Sequence, residues 1–178
     1  MGEANLKDPE YLEIPIGPQH PALHEPLLFK VKVEGERIVE VIPSTGYNHR
    51  GIEKLCENNT LLKDVYISGR VCGICNIVHT TCFSEGVEKI CNIEVSPRAK
   101  YLRTLLNELE RIHSHMLSLA VLGELVGFHT LFMLMMRDRE SVLTLKELVT
   151  GNRVQADYIM PGGVRRDVDP EKSVKIKK

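Results

Sequence analysis

The stretch that decides the fold is residues 96–117, SPRAKYLRTLLNELERIHSHML. Its large apolar residues recur three and four positions apart, at Leu102, Leu105, Leu106, Leu109, Ile112, Met116 and Leu117. This spacing places them along one face of an α-helix. Ser96 suits the N-cap position, and Pro97 suits the first turn because its missing N–H would have no helical partner there. The stretch therefore predicts a long amphipathic helix that packs against a core.

Helical signals continue on both sides of this stretch. Gly127 is expected to end the long helix, and residues 131–149 are expected to form another helix, closed by Gly151. Toward the amino terminus, residues from Gly51 to position 90 carry apolar side chains at helical spacing. The last residues, 167–178 (DVDPEKSVKIKK), are charged and aperiodic, which predicts a frayed tail.

Residues 1–49 have the pattern of β-structure instead. Residues 27–34 (LLFKVKVE) alternate apolar and polar side chains in their second half, and residues 37–42 (RIVEVI) resume after the turn at Gly35. Together they predict a β-hairpin. The expected fold is α+β and mostly helical, with a small N-terminal antiparallel β-sheet followed by a bundle of long packed helices. The expected divisions are an N-terminal β region (1–49), a helical region (50–166) and a charged tail (167–178).

The composition excludes several classes of protein. The 178 residues are 43% hydrophobic and 26% charged, as in an ordinary globular protein, and the net charge of −1 argues against nucleic-acid binding. Five cysteines without a signal-peptide-like start favour reduced thiols over a disulfide framework. The most apolar stretch, residues 116–136, contains Glu124 and His129, so a buried helix pair is expected rather than a membrane span.

The chemistry concentrates in residues 70–79, RVCGICNIVH. Cys72 and Cys75, three positions apart in an expected helical turn, would lie on one face and could hold the same metal. His79, one turn further on, could donate a hydrogen bond to a ligating sulfur, and Arg70 would favour the thiolate over the thiol. The spacing alone leaves open a metal or redox site and a pair of buried structural thiols.

Other candidate residues are less specific. A zinc site would need about four ligands, and no second cysteine pair at zinc-like spacing is present, although Cys82 or Cys91 could contribute. Glu53 would by default be a solvated acid in the first turn of a helix, and a proton-transfer role would require its burial beside the thiols. His20 and His24, within residues 17–26 (GPQHPALHEP), are most simply loop residues held by prolines.

Six segments of the chain have the pattern of a known family. They are residues 17–21 (GPQHP), 46–54 (GYNHRGIEK), 70–75 (RVCGIC) with His79, 108–115 (ELERIHSH), 151–153 (GNR) and 162–167 (GGVRRD). Taken together, these segments resemble the large subunit of nickel–iron hydrogenases, and best the membrane-bound, energy-converting group related to respiratory complex I. The resemblance covers nearly the whole chain, in the order of the family's N-terminal half. The quinone-site subunit of complex I shares the first two segments but lacks this Cys-x-x-Cys pair, so the pair favours a hydrogenase.

The resemblance implies a site and a reaction. Cys72 would be a terminal nickel ligand, Cys75 would bridge nickel and iron, and Glu53 would relay protons to and from a nickel-bound thiolate. Soft thiolates suit both metals, and H₂ cleavage into a proton and a hydride needs a base nearby. Electrons would pass through an iron–sulfur cluster in a partner subunit near the Arg70 loop. The implied reaction interconverts protons and H₂ on the cytoplasmic side of the cell membrane, with a ferredoxin-like electron donor.

The chain departs from the family in lacking the second Cys-x-x-Cys pair that supplies the other ligands. It should therefore not assemble the nickel–iron centre alone, and it is expected to be half of a split subunit, a fragment, or a descendant without the metal centre. Such a descendant would reduce quinone or a sulfur compound, with His20 and His24 near the substrate channel. A non-catalytic scaffold piece of the complex is the further alternative.

The resemblance also implies the partners of the chain. These would be an iron–sulfur small subunit, the second half of the large subunit, membrane ion-translocating subunits and the ferredoxin-like donor. No nucleic acid is expected among them.

Overall fold

The structure is a computed structural model that describes residues 11–21, 23 and 25–177. Its strands are β1 (Leu12–Ile16), β2 (Leu28–Glu34), β3 (Arg37–Ser44), β4 (Ile159–Met160) and β5 (Gly163–Val164). Its helices are α1 (Ile52–Glu57), α2 (Leu61–Gly69), α3 (Asn76–Cys91), α4 (Pro97–Leu125), α5 (His129–Thr150) and α6 (Pro170–Lys177). The predicted fold class, α+β and mostly helical, is confirmed.

The chain divides into two compact units, and the first ends at Gly51. Its antiparallel sheet has the order β1-β2-β3, so β1 extends the predicted hairpin by one strand. The β2–β3 pairing runs from Leu28 opposite Ser44 to Glu34 opposite Arg37, with an irregularity at Lys32/Val33. The hairpin is therefore present, and its second strand reaches Ser44.

The second unit starts at Ile52 and is built around the antiparallel hairpin of α4 and α5. Ser96 caps α4, because its hydroxyl oxygen accepts a hydrogen bond from the Ala99 N–H at 3.3 Å, and Pro97 is the first helical residue. Gly127 (φ 77°) and Gly151 (φ 84°) adopt left-handed backbone after α4 and α5. These cap residues are where the sequence predicts them.

The core of this unit forms where α4 meets the other elements. Leu102, Leu106 and Leu109 lie on its buried face. The cluster joins them to residues of α3, of α5 and of the segment that follows α5, namely Ile77, Val149, Ala156, Tyr158, Ile159 and Val168. In the part of the chain that the structure describes, no helix has the length and hydropathy to cross a membrane.

The carboxyl-terminal segment differs from the sequence prediction. The aperiodic pattern of residues 167–178 predicts a frayed tail, whereas Pro170–Lys177 form helix α6. The Asp169 side chain accepts a hydrogen bond from the Lys172 N–H at 2.8 Å, which caps this helix. Val168 is buried and Ile176 packs against the core. A cap and two apolar anchors thus stabilise a helix in a mostly charged sequence.

The packing of α4 makes a first prediction. Leu106 is 0% exposed, whereas Leu122 on the same helix is 53% exposed. Leu106→Ala should lower the free energy of unfolding by about 2–5 kcal/mol, because it leaves a cavity. Leu122→Ala should change it by no more than about 0.5 kcal/mol. Urea denaturation followed by circular dichroism measures both values, and equal losses would contradict the placement of the core.

Candidate metal centre

The cysteine pair lies in the loop between α2 and α3. Helix α2 ends at Gly69, and α3 begins at Asn76 with Cys75 as its N-cap residue. Cys72 therefore lies in irregular backbone, which corrects the helical turn predicted for the pair. Gly73 and Ile74 separate the two cysteines, and the glycine disfavours continuation of a helix at this point.

The loop nevertheless brings the predicted donors together. The Sγ atoms of Cys72 and Cys75 and a ring nitrogen of His79 all lie within 4.8 Å of one another. All three side chains are partly buried. His79 is placed by the first turn of α3, where its N–H donates to the Cys75 carbonyl at 3.2 Å. Two thiols and an imidazole are donors that suit nickel, iron or zinc, so this set fits a transition metal.

The two thiols differ in how strongly they hold a proton. For Cys72, burial acts to raise the pKa, but hydrogen bonds from the Cys75 thiol and from the N–H groups of Ile74 and Cys75 outweigh it and lower the pKa. Burial, the interaction with Cys72 and the Glu110 charge raise the pKa of Cys75 to about 12. Cys72 is therefore the first of the two to become a thiolate.

Arg70 is predicted to act on the thiols, but its guanidinium contacts other side chains in the structure. Its guanidinium donates two hydrogen bonds to the Asp157 carboxylate, at 3.0 and 2.8 Å, and one to the Gln155 side-chain oxygen at 2.9 Å. The interactions that lower the pKa of Cys72 come from Cys75 and the backbone. Arg70 therefore anchors the cysteine loop to the segment that follows α5.

Glu53 lies on α1 with an exposed side chain. Its predicted role requires burial beside the thiols, which the described residues do not provide. Its charge acts on Cys56, whose pKa is raised first by burial, then by Asp64 and least by Glu53. The proton-relay role of Glu53 stays a prediction.

Of the two histidines predicted near a substrate channel, His20 belongs to the first unit. His20 is exposed and borders a cavity of about 380 Å³ that Pro18, Glu25 and neighbouring residues line. Its carbonyl accepts a hydrogen bond from the Leu23 N–H at 2.9 Å. His24 lies outside the described residues. The channel role of both stays a prediction.

Sequence reasoning missed a buried ion pair behind the cysteine loop. Lys146 on α5 donates to the Glu110 carboxylate on α4 at 2.9 Å, and their side chains are 0% and 1% exposed. Glu110 falls four positions after Leu106, and Lys146 falls three before Val149. A charged residue within the apolar stripe of an amphipathic helix indicates a buried, paired charge, and this pattern could have identified both Glu110 and Lys146.

His113 is a second buried polar group on α4. Its Nε2 contacts the guanidinium of Arg139. Burial, together with the charges of Arg139 and Lys146, lowers the pKa of His113 to about 4, so the ring is neutral near pH 7. His115 is exposed, so the two histidines point to different sides of the helix.

The coupling between the thiols makes a second prediction. Cys72→Ser should lower the pKa of Cys75, because it removes a neighbouring thiolate. The pH dependence of alkylation by iodoacetamide in the metal-free protein, followed at each cysteine by peptide mass spectrometry, measures the change. Cys75 should react at lower pH in this variant, whereas Cys91→Ser, at the far end of α3, should leave its pH dependence unchanged. An unaltered pH dependence in Cys72→Ser would contradict the coupling.

Two known families match successive parts of the chain. Residues 50–126 match the family described as nickel-dependent hydrogenase. Residues 126–178 match the family described as respiratory-chain NADH dehydrogenase, 49 Kd subunit. The first match contains the Cys72–Cys75–His79 group and all of α4, and the second contains α5 and the segment after it.

Individual relatives carry names of both kinds. The membrane-bound hydrogenase subunit alpha of Pyrococcus furiosus is 43% identical over 164 residues, covering 92% of this chain and 38% of the relative. One subunit of the F(420)H(2) dehydrogenase of Methanosarcina mazei is 42% identical over 153 residues, covering 86% of this chain and 41% of the relative. A chain in the structure of the archaeal membrane-bound sulfane sulfur reductase is similar with a TM-score of 0.84 and 32% identity, over 95% of this chain and 45% of that one.

This chain therefore spans less than half the length of these relatives. The chain is similar both to the large subunits of membrane-bound nickel-dependent hydrogenases and to complex I-related subunits.

Proposed function

We propose that this chain is part of the large subunit of a membrane-bound oxidoreductase, a nickel–iron hydrogenase that interconverts protons and H₂. The observation that carries the proposal is the convergence of two thiols and an imidazole within 4.8 Å, in a loop whose sequence is RVCGIC. The match of residues 50–126 to nickel-dependent hydrogenases supports it.

In this proposal, each residue of the loop has a separate task. Cys72 and Cys75 hold the nickel–iron centre together with ligands from another stretch of polypeptide. When bound, the centre supplies the redox chemistry of H₂ cleavage at soft thiolate ligands. Cys72 offers the more readily formed thiolate, and His79 stays beside the sulfurs, where it can donate a hydrogen bond. Arg70 keeps the loop against Asp157.

The proposal extends to proton and electron transfer. Glu53 exchanges protons with the site, and an iron–sulfur cluster in a partner small subunit near the Arg70 loop exchanges electrons with a ferredoxin-like donor. The second half of the large subunit supplies the remaining ligands. Ion-translocating membrane subunits complete the assembly, with this chain peripheral on the cytoplasmic side. The word membrane-bound in the names of two relatives supports such a setting.

A second candidate is a complex I-like reductase of quinone or a sulfur compound, without the metal centre. It is favoured by the match of residues 126–178 to the 49 Kd subunit family and by the likeness to the sulfane sulfur reductase. In that case His20 and His24 serve the substrate. A scaffold piece whose thiols pack an interface is the non-catalytic alternative. Substrate-dependent oxidation of reduced ferredoxin without H₂ evolution would favour the reductase.

The test of the hydrogenase is metal analysis combined with loss of one thiol. The purified native assembly should contain nickel and iron, and Cys75→Ser should abolish H₂ activity while the complex still assembles. Cys91→Ser is the matched control, since Cys91 is exposed at the other end of α3. An active assembly that lacks nickel, or wild-type turnover in Cys75→Ser, would refute the proposal.

The proton-relay role makes a separate prediction. Glu53→Gln keeps the size of the side chain but cannot carry a proton at neutral pH, so it should slow hydrogen–deuterium exchange with H₂ more than electron transfer to a dye. Glu57→Gln, which changes an exposed glutamate on the same helix, should slow neither. Equal slowing of both activities in Glu53→Gln would remove its assignment as a relay.

A further inference from the structure

The Glu110 carboxylate lies at the beginning of α3, although Glu110 belongs to α4. Its Oε2 atom accepts hydrogen bonds from the N–H groups of Ile77 at 2.5 Å and Val78 at 3.1 Å. The first N–H groups of a helix have no partner within the helix. Cys75, the N-cap residue, makes no side-chain cap hydrogen bond. Glu110 therefore occupies the place of the missing N-cap side chain.

Lys146 holds this carboxylate from the opposite side. Its Nζ donates to Glu110 Oε1 at 2.9 Å and to the Val154 carbonyl at 3.1 Å. A buried charge is tolerated when it is paired and hydrogen-bonded, and here both oxygens of the carboxylate have partners. The Glu110 carboxylate, which belongs to α4, is thus held by backbone N–H groups of α3 and by the Lys146 side chain of α5.

We propose that Glu110, held by Lys146, is a positioning residue that fixes the Cys75 thiol within the Cys72–Cys75–His79 group. The capped N–H groups lie two and three residues after Cys75 and just before His79, so the carboxylate holds the short piece of backbone that carries both donors. Residues around metal ligands orient them in this way. The inference rests on the metal site of the proposed function.

A second buried ion pair between α3 and α4 provides a control that distinguishes a positioning role of Glu110 from a general effect on stability. Arg103 on α4 donates to Glu88, which lies near the other end of α3, at 3.0 Å, and these side chains are 6% and 8% exposed. This pair also joins α3 to α4, but it lies near the end of α3 that is remote from the cysteine loop. Loss of either pair should destabilise the fold, but only loss of the Glu110 side-chain oxygen that accepts the α3 N–H groups should move Cys75.

The experiment compares two double variants of the full chain. Glu110→Gln with Lys146→Met keeps an oxygen that can accept the two N–H groups, and Glu110→Leu with Lys146→Met removes it. Neither leaves an unpaired buried charge, so both can fold. Glu88→Gln with Arg103→Met is the control for stability.

Cobalt(II) is the probe of the site, since its thiolate charge-transfer absorption reports sulfur ligation. The leucine variant should bind cobalt about 10- to 100-fold more weakly than the unsubstituted chain. The cobalt affinities of the glutamine variant and of the Glu88 control should stay within about threefold of the affinity of the unsubstituted chain. A change of that size is smaller than the loss expected for the leucine variant. Equal cobalt affinity in the leucine and glutamine variants would overturn the inference.

A second measurement tests the positioning role without metal. In the leucine variant alone, the Ile77 and Val78 amides should exchange with deuterium faster. In the same variant, Cys75 should be alkylated faster relative to Cys91. If the unsubstituted chain fails to bind cobalt through its thiolates, the proposed metal site is wrong. The exchange and alkylation rates then decide whether Glu110 positions Cys75, and unchanged rates in the leucine variant overturn that inference.

Discussion

The buried face of α4 is the constraint on which the second unit depends. Leu106 and its apolar neighbours on this face join the core that includes Ile77 of α3 and Val149 of α5. One turn further along, Glu110 binds the first turn of α3 and Lys146 of α5. The same helix thus supplies both the apolar contacts and the hydrogen bonds that place α3. Since α3 begins directly after the cysteine loop, the position of the thiols follows from how α4 packs.

Local chemistry made much of the fold predictable from sequence. Ser96, Pro97 and Gly151 mark helix ends because their own backbone and side-chain preferences favour those positions, and the structure uses them there. The loop at 70–75 and helix α6 were not predictable in this way. The loop depends on Arg70 reaching Asp157, 87 positions later in the chain, and α6 depends on Ile176 meeting the core. Such contacts leave no local pattern.

The same distinction applies to the candidate site. The spacing of Cys72, Cys75 and His79 predicts that they lie together, since short-range geometry keeps such residues close in either a loop or a helix. No spacing predicts the partners that hold them, because Glu110 and Lys146 lie on other helices. The exposure of Glu53 and the pairing of Arg70 with Asp157 likewise follow from tertiary structure. The sequence around the loop thus indicates which side chains can act as donors, whereas the packing of distant helices determines their surroundings.

The contacts that hold the cysteine loop are contacts of protein with protein. Arg70 with Asp157, Glu110 with the α3 amides, and Lys146 with Glu110 all bond through groups other than the Cys72 and Cys75 thiols. The loop and the helices that frame it are therefore held by groups that are not themselves metal donors. The relatives to which this chain is similar carry the names hydrogenase, dehydrogenase and sulfur reductase, and one fold can serve several chemistries. The framework fixes where the thiols lie, whereas the fold alone does not specify which chemistry takes place there.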